Sequence, residues 1–375
     1  MSVTRIGYDD PITEDDHVRW SGWMEADGQR HSVQVTFTCP DPAEFVPTVR
    51  PFLLAFLVPA MIAGHPIHLT DPVDSGTAAE LAEWQEAMAS LHPELRAVSI
   101  TAPSRVEIPP PSWAGGITAF SGGVDSCFTA LRGHRGARPG PHRRTDLIAG
   151  LMIHGFDIDA SDTGTFGSAF ARSRRILESF GMDAYALHTD VKRLEAATGC
   201  DWAHQVHGIW LAFALSCLEQ WFARTVIPSS YPYDQPVPRW GSTAQTDPLL
   251  GSASRPLWHD GAAFDKLDKV TALVNSPAIV RDLRVCWQGE RLDRNCGRCF
   301  KCVTTQACFW IEGVDKPAAF DVPATMDDVA TVEFNDAYKV RLGRKMANRA
   351  GERGQTELVD ALVIALAAVG EERRP

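Results

Sequence analysis

The stretch Ile117-Thr118-Ala119-Phe120, followed at once by Ser121-Gly122-Gly123-Val124-Asp125-Ser126, decides how this chain is read. The apolar tetrapeptide predicts a short buried strand. Cys127-Phe128-Thr129-Ala130-Leu131 predicts a helix after the turn. A strand, a small-residue turn and a helix start, in that order, suit an anion. Two glycines let the backbone approach it closely. The amides at the helix start point outward, and the helix dipole favours negative charge there. The serine hydroxyls add donors, and Asp125 can hold a magnesium ion that shares the phosphate charge. The pattern is neither the phosphate loop G-x-x-x-x-G-K-[ST] nor the dinucleotide fingerprint G-x-G-x-x-G. A plain Gly-Ser turn at a helix start is the bland alternative, and the flanking strand, helix and Asp-Ser argue against it.

Downstream of the loop the pattern alternates. We expect a loop over 133–145, an apolar strand over 147–153, a helix over 166–180 and a strand over 183–188. A long, nearly all-apolar helix over 205–224 and a strand over 225–228 follow. Such alternation predicts an α/β fold, a parallel sheet with helices on both faces. Ligands then bind at the carboxyl ends of the strands. The candidates there are loop 121–126, His154-Gly155-Phe156-Asp157 and Ser229-Ser230-Tyr231.

Residues 1–112 read as a separate α+β accessory domain, with dimerisation as one role and a homodimer as the implied state. Apolar–polar alternation around Ala26-Asp27-Gly28-Gln29 predicts a hairpin. Helices over 43–62 and 77–90 and a closing strand over 96–100 follow. Ile108-Pro109-Pro110-Pro111-Ser112 is a stiff linker. The core domain is expected over 113–316. A helical extension is expected over 317–375, with helices at 336–349 and 357–369.

Bulk properties agree with a globular chain. At 375 residues there is room for about two domains. Hydrophobic residues make up 45% and charged ones 22%, and the net charge of −11 disfavours a long nucleic acid as partner. The apolar runs 52–63, broken by Pro59, and 209–218 are too short to cross a membrane. With no apolar signal region at the start, a cytoplasmic protein is expected. The nine cysteines are odd in number, which argues against disulfides.

Four of those cysteines form a pattern. Cys296, Cys299 and Cys302 are spaced C-x2-C-x2-C, and Cys286 lies ten residues earlier. Four thiolates suit tetrahedral zinc, and an iron–sulfur cluster is the competing reading. Gly297 permits the tight turn, and Arg298 and Lys301 would offset the thiolate charge. Cys308 reads as core in an apolar helix.

The hexapeptide resembles the PP-loop, S-G-G-x-D-S, of the N-type ATP pyrophosphatases. Loop and cysteine cluster together resemble the 7-cyano-7-deazaguanine synthases, over about residues 114–315. The resemblance implies an adenine nucleotide alpha hydrolase-like (Rossmann-like) fold with ATP, Mg2+ and Zn2+. It also implies an ATP-dependent ligase. ATP is cleaved to pyrophosphate, AMP is attached to the carboxylate or amide of a small-molecule acceptor, and ammonia or an amine displaces it to give an amide or nitrile.

Carried over residue by residue, Ser121, Gly122, Gly123, Val124 and Ser126 hold the β,γ-phosphates. Asp125 serves as magnesium ligand or positioning group. Outside that carry-over, Ile153, His154 and Gly155 are candidate nucleotide contacts from their place at the end of a core strand. Lys269 or Lys266 neutralises the α-phosphate. Asp157, His207, Ser229, Ser230, Tyr231, His259 and Asp260 are candidate substrate contacts, and Asp159 and His204 lie beside them. The four cysteines hold a structural zinc. Residues 1–112, the strand ending at 153–157 and the insertion 232–258 have no counterpart in that pattern, and the last two should shape the acceptor pocket. Two other readings compete. A PP-loop sulfurtransferase acting on a small molecule or RNA would need Cys127 or Cys200 as a reactive thiol. A non-catalytic nucleotide-binding scaffold would need only the loop.

Overall fold

The computed structural model describes residues 2–107, 111, 113–137, 143–235 and 239–371. Strands β1 (Thr4–Tyr8), β2 (Ile12–Thr13), β3 (His17–Ala26) and β4 (Gln29–Thr38) lead to helix α1 (Arg50–Ala63). Next come β5 (Ile67–Leu69), β6 (Val73–Asp74), α2 (Ser75–Leu91), β7 (Ile100–Thr101) and β8 (Arg105–Val106). Then β9 (Trp113–Ala119), α3 (Val124–Gly133), β10 (Leu147–His154), α4 (Thr163–Ser179) and β11 (Asp183–Thr189) alternate. They are followed by α5 (Arg193–Thr198), α6 (His207–Ser216), β12 (Phe222–Pro228) and β13 (Leu257–Asp260). The remainder is helical: α7 (Lys266–Leu273), α8 (Pro277–Asp282), α9 (Phe300–Ile311), α10 (Met326–Ala330), α11 (Ala337–Glu352) and α12 (Thr356–Glu371).

Residues gather into two compact units. The first holds residues 1–120, 133–161 and 181–262, and the second holds 121–132, 162–180 and 263–375. This division does not follow the sequence boundaries expected at 112 and 316. Of the expected linker, residues 108–110 and 112 lie outside the described residues.

The first unit is built on an eleven-stranded mixed sheet in which parallel pairings outnumber antiparallel ones. Its central run, β13-β12-β9-β10-β11, is wholly parallel. Chain order reverses between β9 and β12, as in doubly wound sheets, where ligands bind beyond the carboxyl ends at that switch. Those ends are Ala119, His154, Thr189, Pro228 and Asp260. The N-terminal strands extend this same sheet rather than forming their own. β4 pairs antiparallel with β11, Thr36 opposite His188.

Local chemistry explains the elements. Asp27 and Gly28 both have positive φ, 50° and 76°, which gives the β3–β4 hairpin a two-residue turn of the favoured twist. The helix expected from residue 43 begins at Arg50, because Pro42 and Pro47 interrupt the run and leave only a short capped turn at Pro42–Glu44. The strand expected over 96–100 is confined to Ile100–Thr101, which pairs with β5. The long helix expected over 205–224 is a π-helical turn, the shorter α6, and then strand β12. A uniformly apolar run cannot distinguish buried helix from buried strand.

Pro59 lies inside α1 and donates no amide hydrogen to the Ala55 carbonyl. That carbonyl instead accepts from Trp210 Nε1 of α6 at 3.1 Å. Phe52, Phe56, Trp84, Phe213 and Trp221 fill the core around this contact. Arg50 is buried in the same core. It donates to Glu219 at 2.6 Å, to the Leu250 carbonyl at 2.6 Å and to Thr77 Oγ1 at 3.2 Å. Burial pushes Glu219 up, and Arg50 and Arg255 pull it partly back.

Among the described residues the second unit is helical. The C-terminal helices belong to it. Lys345 of α11 bonds Asp265 and Asp268 at the start of α7, at 2.6 and 2.7 Å. Asp265 and Asp268 also cap α7 reciprocally. Arg175 of α4 pairs with Asp282 of α8 at 2.5 Å. Burial pushes Asp282 up, but hydrogen bonds from Arg175 and Arg281 outweigh it and hold the carboxyl below its usual value.

Two outcomes follow for stability. Arg50→Met leaves Glu219 buried without its guanidinium and is expected to cost about 3–5 kcal/mol in urea unfolding. Because the folded pKa of Asp282 is depressed, its contribution is complete above the unfolded value and is lost as pH falls through the folded one. Wild type should therefore exceed Asp282→Asn in stability at pH 7, and the two should converge in unfolding titrations as pH falls through the folded value of Asp282, which lies below the ordinary carboxylate range.

Candidate active site

Loop 121–126 opens α3 as expected. Cys127 N donates to the Gly123 carbonyl at 2.9 Å, so Gly123 caps the helix. The amides of Val124, Asp125 and Ser126 then have no acceptor within the helix, which is the arrangement an anion needs. Ser126 Oγ donates to the Gly123 carbonyl at 3.1 Å. Gly122 has φ 74°, and a Cβ there would stand 2.9 Å from Ser173 Oγ, so conformation and space both require glycine. The Gly122 carbonyl accepts from Arg284 N at 2.8 Å. Ser173, on α4, is 1% exposed, and its hydroxyl has no hydrogen-bond partner among the described residues.

Lys269 and Asp125, 144 residues apart, meet here. Lys269 Nζ donates to Asp125 Oδ1 at 2.6 Å. The lysine side chain is 2% exposed and the aspartate 42%. A magnesium ion at Asp125 would share that carboxylate with an ammonium. Lys266 turns elsewhere. Its amine donates to Thr304 Oγ1 at 2.7 Å and to the Lys301 carbonyl at 3.2 Å, and burial pushes its pKa down to about 8. Of the two lysines, the one three residues further along faces the loop. Tyr338 of α11 joins this group: burial pushes its phenol up, and the Asp125 and Asp265 carboxylates add to the rise.

The cysteines also come together. The Sγ atoms of Cys286, Cys296, Cys299 and Cys302 all lie within 4.8 Å of one another. Thiolates about 2.3 Å from a tetrahedral ion stand about 3.8 Å apart. The Cys286–Cys299 and Cys296–Cys302 sulfurs are each separated by 3.8 Å. The cluster is thus compatible with zinc in a closed structural site. Gly297 has φ 78°, and a Cβ there would meet the Val322 carbonyl at 2.3 Å. Asn295 ties the two arms, accepting from Val285 N and Cys286 N and donating to the Leu283 and Ala319 carbonyls. Arg284 Nη1 donates to the Leu292 carbonyl at 3.0 Å and the Cys286 carbonyl at 3.4 Å. Its backbone holds Gly122, so one residue joins the cysteine arm to the loop. Arg298 is committed to Asp328 and the Pro323 carbonyl rather than to the thiolates. Cys308 is core, its thiol pushed up to about 12 by burial.

In the sheet-bearing unit the expected contacts divide. His154 is fully buried, with Nδ1 against His188 Nδ1 at 2.8 Å and Nε2 against the Asp159 carbonyl at 2.7 Å. Both ring nitrogens are committed to the fold. A Cβ on Gly155 would meet the Thr189 carbonyl at 2.0 Å, so this glycine serves close packing. Ile153 is half-buried, and Asp157 and Asp159 are exposed. His204 pairs with Asp201 on the surface.

Ser229 is buried, donating its amide to the Asp260 carbonyl and its hydroxyl to the Tyr231 carbonyl. Asp260 is buried and Ser230 half-buried. Tyr231 and His259 line one cavity of about 200 Å3, with Trp240 between Tyr231 and His207. The insertion 232–258 supplies most of its wall. Sequence reasoning missed Ser173, Arg284 and Tyr338. None stands in a motif, although Arg284 lies two residues before Cys286.

No protein-family model, curated protein or solved structure matches the chain. Among the described residues no helix is long and apolar enough to cross a membrane.

Metal analysis is expected to find about one zinc per chain, without the visible absorbance of an iron–sulfur cluster. Cys299→Ser should lose the metal, and chelation of the wild type should lower the thermal unfolding midpoint.

Proposed function

We propose that the chain is an ATP-dependent ligase of PP-loop type, with an adenine nucleotide alpha hydrolase-like core. It cleaves ATP between the α- and β-phosphates, transfers AMP to the carboxylate of a small-molecule acceptor and lets an amine displace it. The observation that carries this reading is the pairing of Lys269 with Asp125 at the first turn of α3, beside the Gly122–Gly123 turn. A buried ammonium beside an anion-binding helix start suits charge that develops as pyrophosphate leaves. The amides of residues 124–126 and the hydroxyls of Ser121 and Ser126 would hold that leaving group. Asp125 keeps Lys269 oriented until phosphate arrives. The cysteine cluster fits zinc, which when bound pins the 286–302 arm and offers no open position for water.

The sulfurtransferase reading lacks its thiolate. Cys127 and Cys200 are both buried, and burial pushes both thiols up, Cys200 to about 11.

Incubation with ATP, magnesium, hydroxylamine and a panel of small carboxylates is expected to give AMP and pyrophosphate with some acceptor. Lys269→Met should slow AMP formation at least about a hundredfold while ATP still binds. Gly122→Ala should weaken ATP binding itself. ATP binding without AMP from any acceptor would instead favour the scaffold reading.

A further inference from the structure

Every described residue that lines the cavity at residues 231–259 belongs to the sheet-bearing unit. Of these twelve, half carry a polar side chain and three are aromatic, Tyr231, Tyr233 and Trp240. None of the twelve is Lys, Arg, Asp or Glu. The aromatic rings do not form a slot: Tyr231 and Trp240 stand at 76° to each other, with centroids 5.5 Å apart. Gln235 and Gln245 each bring a carboxamide, which both donates and accepts. His259 is held from behind, its Nδ1 2.8 Å from Asp247 Oδ2. Asp247 also accepts from Ser242 Oγ at 2.7 Å and from Thr243 N at 3.2 Å, so its charge is answered behind the wall. The His259 and Asp247 side chains are 3% and 1% exposed. With Nδ1 turned to that carboxylate, Nε2 is the ring nitrogen left for a ligand.

We propose that this cavity binds one neutral, saturated, polyhydroxylated ring, the chemistry of a single sugar unit. A carboxylate or an ammonium would give up its hydration and find no opposite charge among the described lining residues. A flat heteroaromatic ring could stack on one of two nearly perpendicular aromatic faces, and not between them. A saturated ring turns C–H groups toward both faces and projects hydroxyls between them. A hydroxyl both donates and accepts, so it pairs with His259 Nε2 whether that nitrogen is bare or protonated. It pairs with either end of a carboxamide in the same way. The volume of about 200 Å3 is below the roughly 300–1,000 Å3 of sites for drug-sized ligands, which suits one ring rather than a chain of them. His259 is the central polar contact, and Asp247 is the positioning residue that fixes its ring. Binding here involves no covalent step and does not depend on the ATP reading.

Saturation-transfer NMR on the full chain at pH 6.5 tests this, with methyl glucoside, methyl galactoside, methyl riboside and myo-inositol as neutral rings. Glucuronate and glucosamine carry a similar ring with a negative or a positive charge, and benzamide is neutral and flat. At least one neutral hydroxylated ring is expected to bind, roughly tenfold or more tighter than glucuronate, glucosamine or benzamide. His259→Gln, which keeps a group able to donate to Asp247, should weaken that ring roughly tenfold. Tyr233 is 62% exposed, so Tyr233→Ala carries little risk to folding and should also weaken it. Preference for glucuronate, glucosamine or benzamide, binding unchanged in both variants, or no binding by any neutral ring overturns the proposal. The two readings fail separately. Lys269→Met should leave sugar binding unchanged, and sugar binding without AMP formation, or the reverse, would sink only one of them.

Discussion

A lysine that is almost wholly removed from water must meet an anion or lose its charge. Lys269 meets Asp125, and the helical unit is arranged around that requirement. The reciprocal cap at Asp265 and Asp268 fixes where α7 starts, and Lys345 neutralises the cap from α11. Moving α7 by one residue would point Lys269 away from the loop. It would also break a cap that costs about 1 kcal/mol to lose. The same helix sends Lys266 toward α9, which bears Cys302. One short helix thus faces the loop and the cysteine-bearing helix at once.

Arg284 makes a second connection between these features, through its backbone to Gly122 and its side chain to the carbonyls at 286 and 292. A structural ion in the cysteine cluster would therefore do more than close a loop. It would restrict the backbone position from which Arg284 holds the left-handed turn at Gly122. On the proposed ATP-cleaving reading, the loop would need donors placed before a phosphate arrives, since donors that must reorganise stabilise a transition state poorly.

Much of this was legible in the sequence, and the reasons differ by feature. The loop, the cysteine spacing and the Asp27-Gly28 hairpin are local, because residue type and spacing alone determine their geometry. The helix end at 216 was not, since an apolar run carries no mark of where helix becomes strand, whereas the start at Arg50 is marked in the sequence by Pro42 and Pro47. The joining of β4 to β11 was also hidden. Edge pairing depends on unsatisfied backbone groups of distant segments, and side-chain patterns record those poorly. The partners of His154 were hidden as well: its place after a core strand suggests a ligand contact but gives no sign that His188 and the Asp159 carbonyl meet its two ring nitrogens. Ser173 and Tyr338 gave no signal, because their importance lies in what three-dimensional packing brings beside Gly122 and Asp125.

The proline in α1 has a consequence for how the N-terminal segment came to belong to the sheet-bearing unit. A helix resting on another through apolar side chains alone can slide or roll at modest cost. The Ala55 carbonyl, unpaired within its own helix and answered by Trp210, removes that freedom. Slippage by one turn, about 5.4 Å, would bury an orphaned carbonyl and an orphaned indole together. The pair acts as a lock and tumbler: only one seating of α1 on α6 lets the bolt drop. A segment keyed in this way cannot be exchanged for another apolar helix, however well its volume fits.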